Sequence, residues 1–134
     1  MEETNARNVT LLPEKIDLVV CDASFISLKT LLPVFLGWLM PSSSIITLIK
    51  PQFEAGRVDV ARGKGVVRDP EIHQRVIWDI TGYARDLGLT VRGLVRSPLL
   101  GPKGNTEFLA WFDRSGQEID LESAIKQLFA IDID

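Results

Sequence analysis

The sequence predicts an α/β domain whose sheet is mostly parallel and ends in one antiparallel hairpin. Three observations carry that prediction. Short apolar runs alternate with segments of helical periodicity, as in a parallel sheet joined by crossover helices. The runs at 16–22 and 45–50 are apolar without strict alternation, and each ends in a charge, Asp22 and Lys50. The last two runs, 89–97 and 106–112, are joined only by PLLGPKGN, too short for a crossover, so they are expected to be antiparallel neighbours.

Taken in order, IDLVVCD (16–22) reads as a strand buried on both faces. Ser24 is an N-cap residue type, and the apolar residues of FISLKTLLPVFLGWLM follow at helical spacing. Pro33 inside that pattern predicts a kink or a start later than Ser24, and Pro41 with serines 42–44 is expected to close the helix. Residues 45–50 form a second strand, again apolar toward both faces, and 51–68 a long glycine-containing connection. Asp69-Pro70 opens a helix as N-cap and first helical residue, with Gly88 as its stop. Its apolar stripe is Ile72, Val76, Ile77, Ile80, Tyr83, Ala84 and Leu87, which leaves His73 near the polar side and expected at the surface. Asp120 caps a terminal helix running to about Phe129.

The 134 residues suggest one domain, large enough for a real core. No apolar stretch reaches the ~18–20 residues that span a bilayer. The N-terminal MEETNAR carries charge and no apolar leader pattern. A single cysteine, Cys21, rules out an internal disulfide and fits a reducing, cytoplasmic compartment; one His and one Cys do not make a zinc site. The net charge of −3 conceals an asymmetry: residues 50–103 carry ten basic and six acidic side chains, whereas 104–134 carry two and seven. A local positive face can hold a polyanion even on an acidic chain.

Four stretches, DLVVCDASFISL (17–28), LIKPQFEAGR (48–57), GKGVVRDP (63–70) and SPLLGPKGNTEFLAWF (97–112), resemble the motifs of the haemolysin A (TlyA) family. That family comprises FtsJ-like, S-adenosylmethionine-dependent RNA 2′-O-methyltransferases. The resemblance covers almost the whole chain, with the motifs in the family's order. It implies the C-terminal part of a Rossmann-like methyltransferase sheet, in which ligands sit at the carboxyl ends of the parallel strands. It also implies a Lys-Asp-Lys-Glu catalytic group, of which the Asp falls on Asp22, the second Lys on Lys50 and the Glu on Glu107. The first Lys, the glycine-rich cofactor loop and an N-terminal S4-type RNA-binding domain have no counterpart in residues 1–134, so the chain is expected to be one part of a longer protein, inactive alone. Asn5 aligns loosely with a position that contacts the cofactor's adenine in related folds, and Asp22 would lie near its methionine end.

These residue types suit the implied chemistry. A ribose 2′-hydroxyl must lose or share its proton as it attacks a methyl sulfonium. A lysine of lowered pKa can take that proton, and a cationic one can stabilise the developing alkoxide. Neighbouring carboxylates hold the lysine and set its charge. Recognition of a 2′-OH fits an RNA substrate, ribosomal RNA in particular. Arg57, Arg62, Lys64 and Arg68, in the connection that leaves Lys50, are expected to contact RNA phosphates, with Lys103 joining the same face. The 16–22 strand would lose a neighbour in such a part-domain and offer an edge for self-association. A non-catalytic RNA-binding or assembly module, and a haemolysin-like membrane activity, are the alternative readings; no membrane-inserting segment supports the latter.

Overall fold

Along the strands, residues alternate between a packed and an open side, and this period of two decides the architecture. In the computed structural model, residues 16–22, 26–56, 60–61 and 63–130 are described. They form β1 (Ile16–Cys21), α1 (Leu28–Trp38), β2 (Leu39–Ile49), α2 (Pro51–Glu54), α3 (Pro70–Asp86), β3 (Thr90–Arg96), β4 (Phe108–Asp113) and α4 (Leu121–Ala130). The sheet order is β1-β2-β4-β3. β1 runs parallel to β2, with Leu18 opposite Ser44 and Cys21 opposite Thr47. β4 is antiparallel to both of its neighbours, pairing Phe108 with Ile49 on one side and with Arg96 on the other. The fold is therefore mixed α/β, with the hairpin partner inserted between β2 and β3.

One sheet face is packed. Val19, Ile45, Ile49, Val91, Phe108, Ala110 and Phe112 belong to one core with Leu28, Leu31, Leu32 and Phe35 of α1, Val76, Ile77, Ile80 and Ala84 of α3, and Leu121, Ile125 and Phe129 of α4. The other face corrects the expectation of strands buried on both sides. Leu18 is 49% and Val20 72% exposed, and Val95 and Trp111 are exposed as well. Among the described residues, the three longer helices bury the same face, so the residues of opposite parity stay open although they are equally apolar.

Local boundaries follow from the chemistry at each end. α1 begins at Leu28, consistent with the later start that Pro33 implies; Ser24 lies outside the described residues. The hydroxyl of Ser27 accepts the Lys29 N–H at 3.0 Å. β2 starts earlier than the expected 45, taking in Pro41 and the serines instead of a closing turn. Pro41 falls where the β1 register jumps, from Ile16–Leu39 to Leu18–Ser44, an irregularity that tolerates a missing N–H. α3 has the expected cap, Asp69 accepting the Glu71 N–H at 2.9 Å, and Gly88 beyond its end has φ +88°. Asp120 receives the Ser123 N–H and hydroxyl at 3.1 and 3.0 Å, which hold its carboxyl below the usual range. No helix among the described residues is long and apolar enough to cross a membrane.

His73 is a further correction. It is buried, not at the surface. Its Nε2–H donates to the Val67 carbonyl at 2.6 Å, and its ring stands edge-on to Phe108, 5.7 Å between centroids. The segment at 66–67 folds back over the first turn of α3 and covers a position that helix periodicity alone assigns to solvent.

Candidate active site

The topology brings three chain-distant residues to one rim. β1 and β2 are parallel, so their carboxyl ends, where Asp22 and Lys50 sit, lie on the same side of the sheet. β4 runs the other way, so its amino end reaches that side too. Ile49 pairs with Phe108, which makes Lys50 and Glu107 the next residues outward on adjacent strands.

Lys50 is only 7% exposed, and its ammonium forms an ion pair with the Asp22 carboxylate. Burying an ammonium is unfavourable unless it is paired, and Asp22 supplies the partner from a side chain that is itself 67% exposed. The Phe53 ring lies 5.9 Å from the Lys50 Nζ. Glu107, 6% exposed, accepts a hydrogen bond of 2.8 Å from the Gln52 side-chain amide. Gly101 makes room for it: a Cβ there would overlap Oε2 of Glu107 and stand 2.6 Å from its Cδ.

The connection after Lys50 is not uniformly loop. It opens with the single turn of α2, whose Phe53 and Glu54 N–H groups both donate to the Lys50 carbonyl, at 2.9 and 3.1 Å. Glu54 then accepts the Ser27 hydroxyl at 2.7 Å and the Leu28 N–H at 2.8 Å. The turn that follows Lys50 is thereby tied to the start of α1, the segment that follows Asp22. Burial pushes the Glu54 carboxyl up from its usual 4.5, against the Leu28 and Ser27 hydrogen bonds that pull it down. Because its folded-state pKa is raised, its contribution to stability is fully present at low pH. That contribution is lost as pH rises from about 4.5 through the raised value. The unfolding free energy of the wild type relative to Glu54→Gln is therefore expected to fall across that window, read from urea titrations at successive pH values. A difference that grows with pH would contradict this.

Of the other residues singled out from sequence, Asn5, Arg57 and Arg62 lie outside the described residues. Lys64 and Arg68 are exposed. Lys103 is exposed too, and its Nζ lies 3.5 Å from the Lys64 carbonyl, so these two cations share one lip of the rim. Both have left-handed backbones, φ 54° and 60°. Three residues that sequence reasoning did not single out help build the site: Gln52, Glu54 and Asn105. Asn105 is buried, accepts the Val67 N–H at 3.0 Å, and donates to the Gly65 and Pro102 carbonyls, each at 3.0 Å. It joins the 63–67 segment to the 102–104 turn. A cavity of about 380 Å³ opens between them, lined by Gln52, Phe53, Val60, Gly65, Pro102, Lys103 and Asn105.

The family profile described as FtsJ-like methyltransferase matches residues 1–114. The 16S/23S rRNA (cytidine-2′-O)-methyltransferase TlyA of Mycobacterium tuberculosis is 42% identical over 133 residues, covering 93% of this chain and 48% of that protein. Hemolysin A of Brachyspira hyodysenteriae is 35% identical, over 84% of this chain and 48% of its own length. A solved structure of a candidate hemolysin from Streptococcus thermophilus superposes with a TM-score of 0.89 at 36% identity, covering 98% of this chain and 48% of that one. The chain thus spans about half the length of the curated relatives it matches. On the profile match and these identities, the chain belongs to the FtsJ-like methyltransferase family.

Proposed function

We propose that this chain carries the catalytic side chains of an S-adenosylmethionine-dependent methyltransferase that modifies a ribose 2′-hydroxyl of ribosomal RNA. The observation that carries the reading is the buried Lys50 paired with Asp22, with Glu107 beside it on the same rim. The related TlyA protein, named for that reaction, supports the substrate class. In this reading residues 1–134 are one part of a methyltransferase domain, and the glycine-rich cofactor loop and an S4-type RNA-binding domain belong to the rest of the longer protein.

Bound S-adenosylmethionine supplies a methyl group on a positively charged sulfur. Among the described residues Asp22 fits that cofactor best: it is a solvent-accessible carboxylate at a strand's carboxyl end, able to receive the ammonium of a methionine moiety while it pairs with Lys50. Asn5, outside the described residues, is the candidate for the adenine contact. Lys50 stabilises the negative charge that builds on the 2′-oxygen, in a site shielded enough for the interaction to exceed its strength in water. Asp22 and Glu107 orient that ammonium and balance its charge. Lys64, Arg68 and Lys103, with Arg57 and Arg62, hold the RNA backbone by phosphate contacts that carry no base information. The test is methylation of ribosomal RNA by the full-length protein with methyl-labelled S-adenosylmethionine. Label recovered in 2′-O-methyl nucleosides supports the reading; label on bases, or none, overturns it.

Self-association of the isolated chain follows from the same geometry. Among the described residues β1 is an edge strand, and its own Leu18 and Val20 stand open. Such an edge is a template for a second copy. Sedimentation of the chain alone is expected to show a concentration-dependent oligomer that Val20→Lys returns to monomer. A monomer at all concentrations would contradict the proposal.

A further inference from the structure

Glu107 does not reach its place unaided. Its carboxylate lies between the Gln52 amide and the backbone of Gly101. Gln52 is itself 7% exposed and sits on the single turn whose N–H groups hang from the Lys50 carbonyl. Its amide nitrogen is spent on Glu107, while its carbonyl oxygen is buried with no hydrogen-bond partner among the described residues. Turning the amide over would satisfy nothing, because it would set that oxygen against the carboxylate, acceptor to acceptor. The Gln52 amide nitrogen is thereby committed to the Glu107 carboxylate, 2.8 Å away.

We propose that Gln52 is a positioning residue for Glu107, fixing that carboxylate in register with Lys50. The inference rests on the proposed methyl-transfer reading, and it names a residue that reading does not require. Gln52 acts through Glu107, to which it donates its side-chain N–H. The connection is short and rigid. Lys50, Pro51 and Gln52 are consecutive, so the donor that aims Glu107 is anchored to the backbone of the lysine that Glu107 serves. The charged groups around it are Glu107 just before β4, Lys50 just after β2, its partner Asp22, and Lys103, which shares the adjoining cavity.

The test uses three arms in the full-length protein. Gln52→Met keeps side-chain length and removes the donor. It is expected to lower kcat by about tenfold or more while KM for RNA and for S-adenosylmethionine stays within about twofold, the pattern of a lost transition-state interaction. Gln52→Glu restores a donor only when protonated. Its activity relative to wild type is expected to climb as pH falls from about 8 to 6, because two carboxylates at this distance share a proton while two charges repel. A purely structural role would not produce that pH-dependent recovery. The third arm needs no activity: in amide NMR spectra, one Gln52 side-chain proton should be shifted and slow to exchange, and Glu107→Ala should abolish both properties. An unshifted, freely exchanging Gln52 amide overturns the inference, as does a folded Gln52→Met variant with wild-type kcat. Absence of methyl transfer from the wild-type protein instead overturns the functional reading, with the NMR arm still deciding the hydrogen bond.

Discussion

Lys50→Ala in the full-length protein is expected to abolish methyl transfer, by about 10²–10⁴-fold, the range for removing a positioned proton-transfer group or a charge stabiliser. Binding of RNA should change little, because the exposed Lys64, Arg68 and Lys103 proposed to hold it are untouched. The structure also argues that the loss will not be a folding artefact. Removing one member of a buried ion pair is ordinarily costly because the other is left uncompensated in a dry environment. Here Asp22, whose side chain is 67% exposed, can be taken up by water, and the buried Glu107 keeps its Gln52 hydrogen bond. Circular dichroism of the variant checks that the fold is retained. Lys50→Arg sharpens the result: it keeps the charge but substitutes a planar fork for a compact ammonium, so little activity should return. Wild-type methylation by a folded Lys50→Ala protein would reduce Lys50 to a charged residue leaving a strand and leave an RNA-binding module as the better reading. The measurements are single-turnover label transfer and a filter-binding isotherm on the same preparations.

Asp22 and Lys50 were legible in the sequence because a charge ending an apolar run marks a strand's carboxyl end, and such ends gather on one side of a parallel sheet. Glu107 was singled out only through the resemblance of GNTEF to the family's motif, and the antiparallel course of β4 is what brings it to that same side. The neighbours that hold them were not legible. Gln52, Glu54 and Asn105 lie in turns, where short-range patterns describe local backbone and say nothing of a partner 26 to 55 residues away. His73 failed for a related reason: helix periodicity sorts residues by face but cannot see a preceding loop folding back over the first turn. The strand faces failed differently. Leu18, Val20, Val95 and Trp111 are apolar, and apolar identity records what a face is suited to contact, whereas the described helices of this chain cover only the opposite face. That mismatch and the half-length match to longer relatives are independent observations, and both are consistent with a partner surface supplied from elsewhere.

Asn105→Leu is expected to be the most destabilising single change at the site. The leucine fills a similar volume, so the effect is not that of a cavity. It removes three hydrogen bonds at once: the Val67 N–H loses its acceptor and the Gly65 carbonyl its donor, while the Pro102 carbonyl keeps the Asn105 backbone N–H at 3.2 Å. Val67 is buried, so water does not readily replace the lost partner of its N–H. With the Val67 N–H and the Gly65 carbonyl left unsatisfied at about 1–3 kcal/mol each, the sum is roughly 2–4 kcal/mol. For a domain of this size that lowers Tm by roughly 6–16 °C. Asn105→Asp separates the two halves of the network. It keeps the acceptor for Val67 but turns a donor toward two carbonyls into a carboxylate, so it should be destabilised by a comparable amount at neutral pH and recover as the carboxyl is protonated in acid. Thermal melts followed by circular dichroism at neutral and acidic pH decide the matter. A Tm within about 3 °C of wild type for Asn105→Leu would mean the 63–67 segment and the 102–104 turn are held by something else, since a shift that small corresponds to less than the cost of one orphaned hydrogen-bonding group. The same substitution frees the segment carrying Lys64 from the turn carrying Lys103. RNA affinity is therefore expected to weaken in parallel with Tm, although neither lysine has been touched.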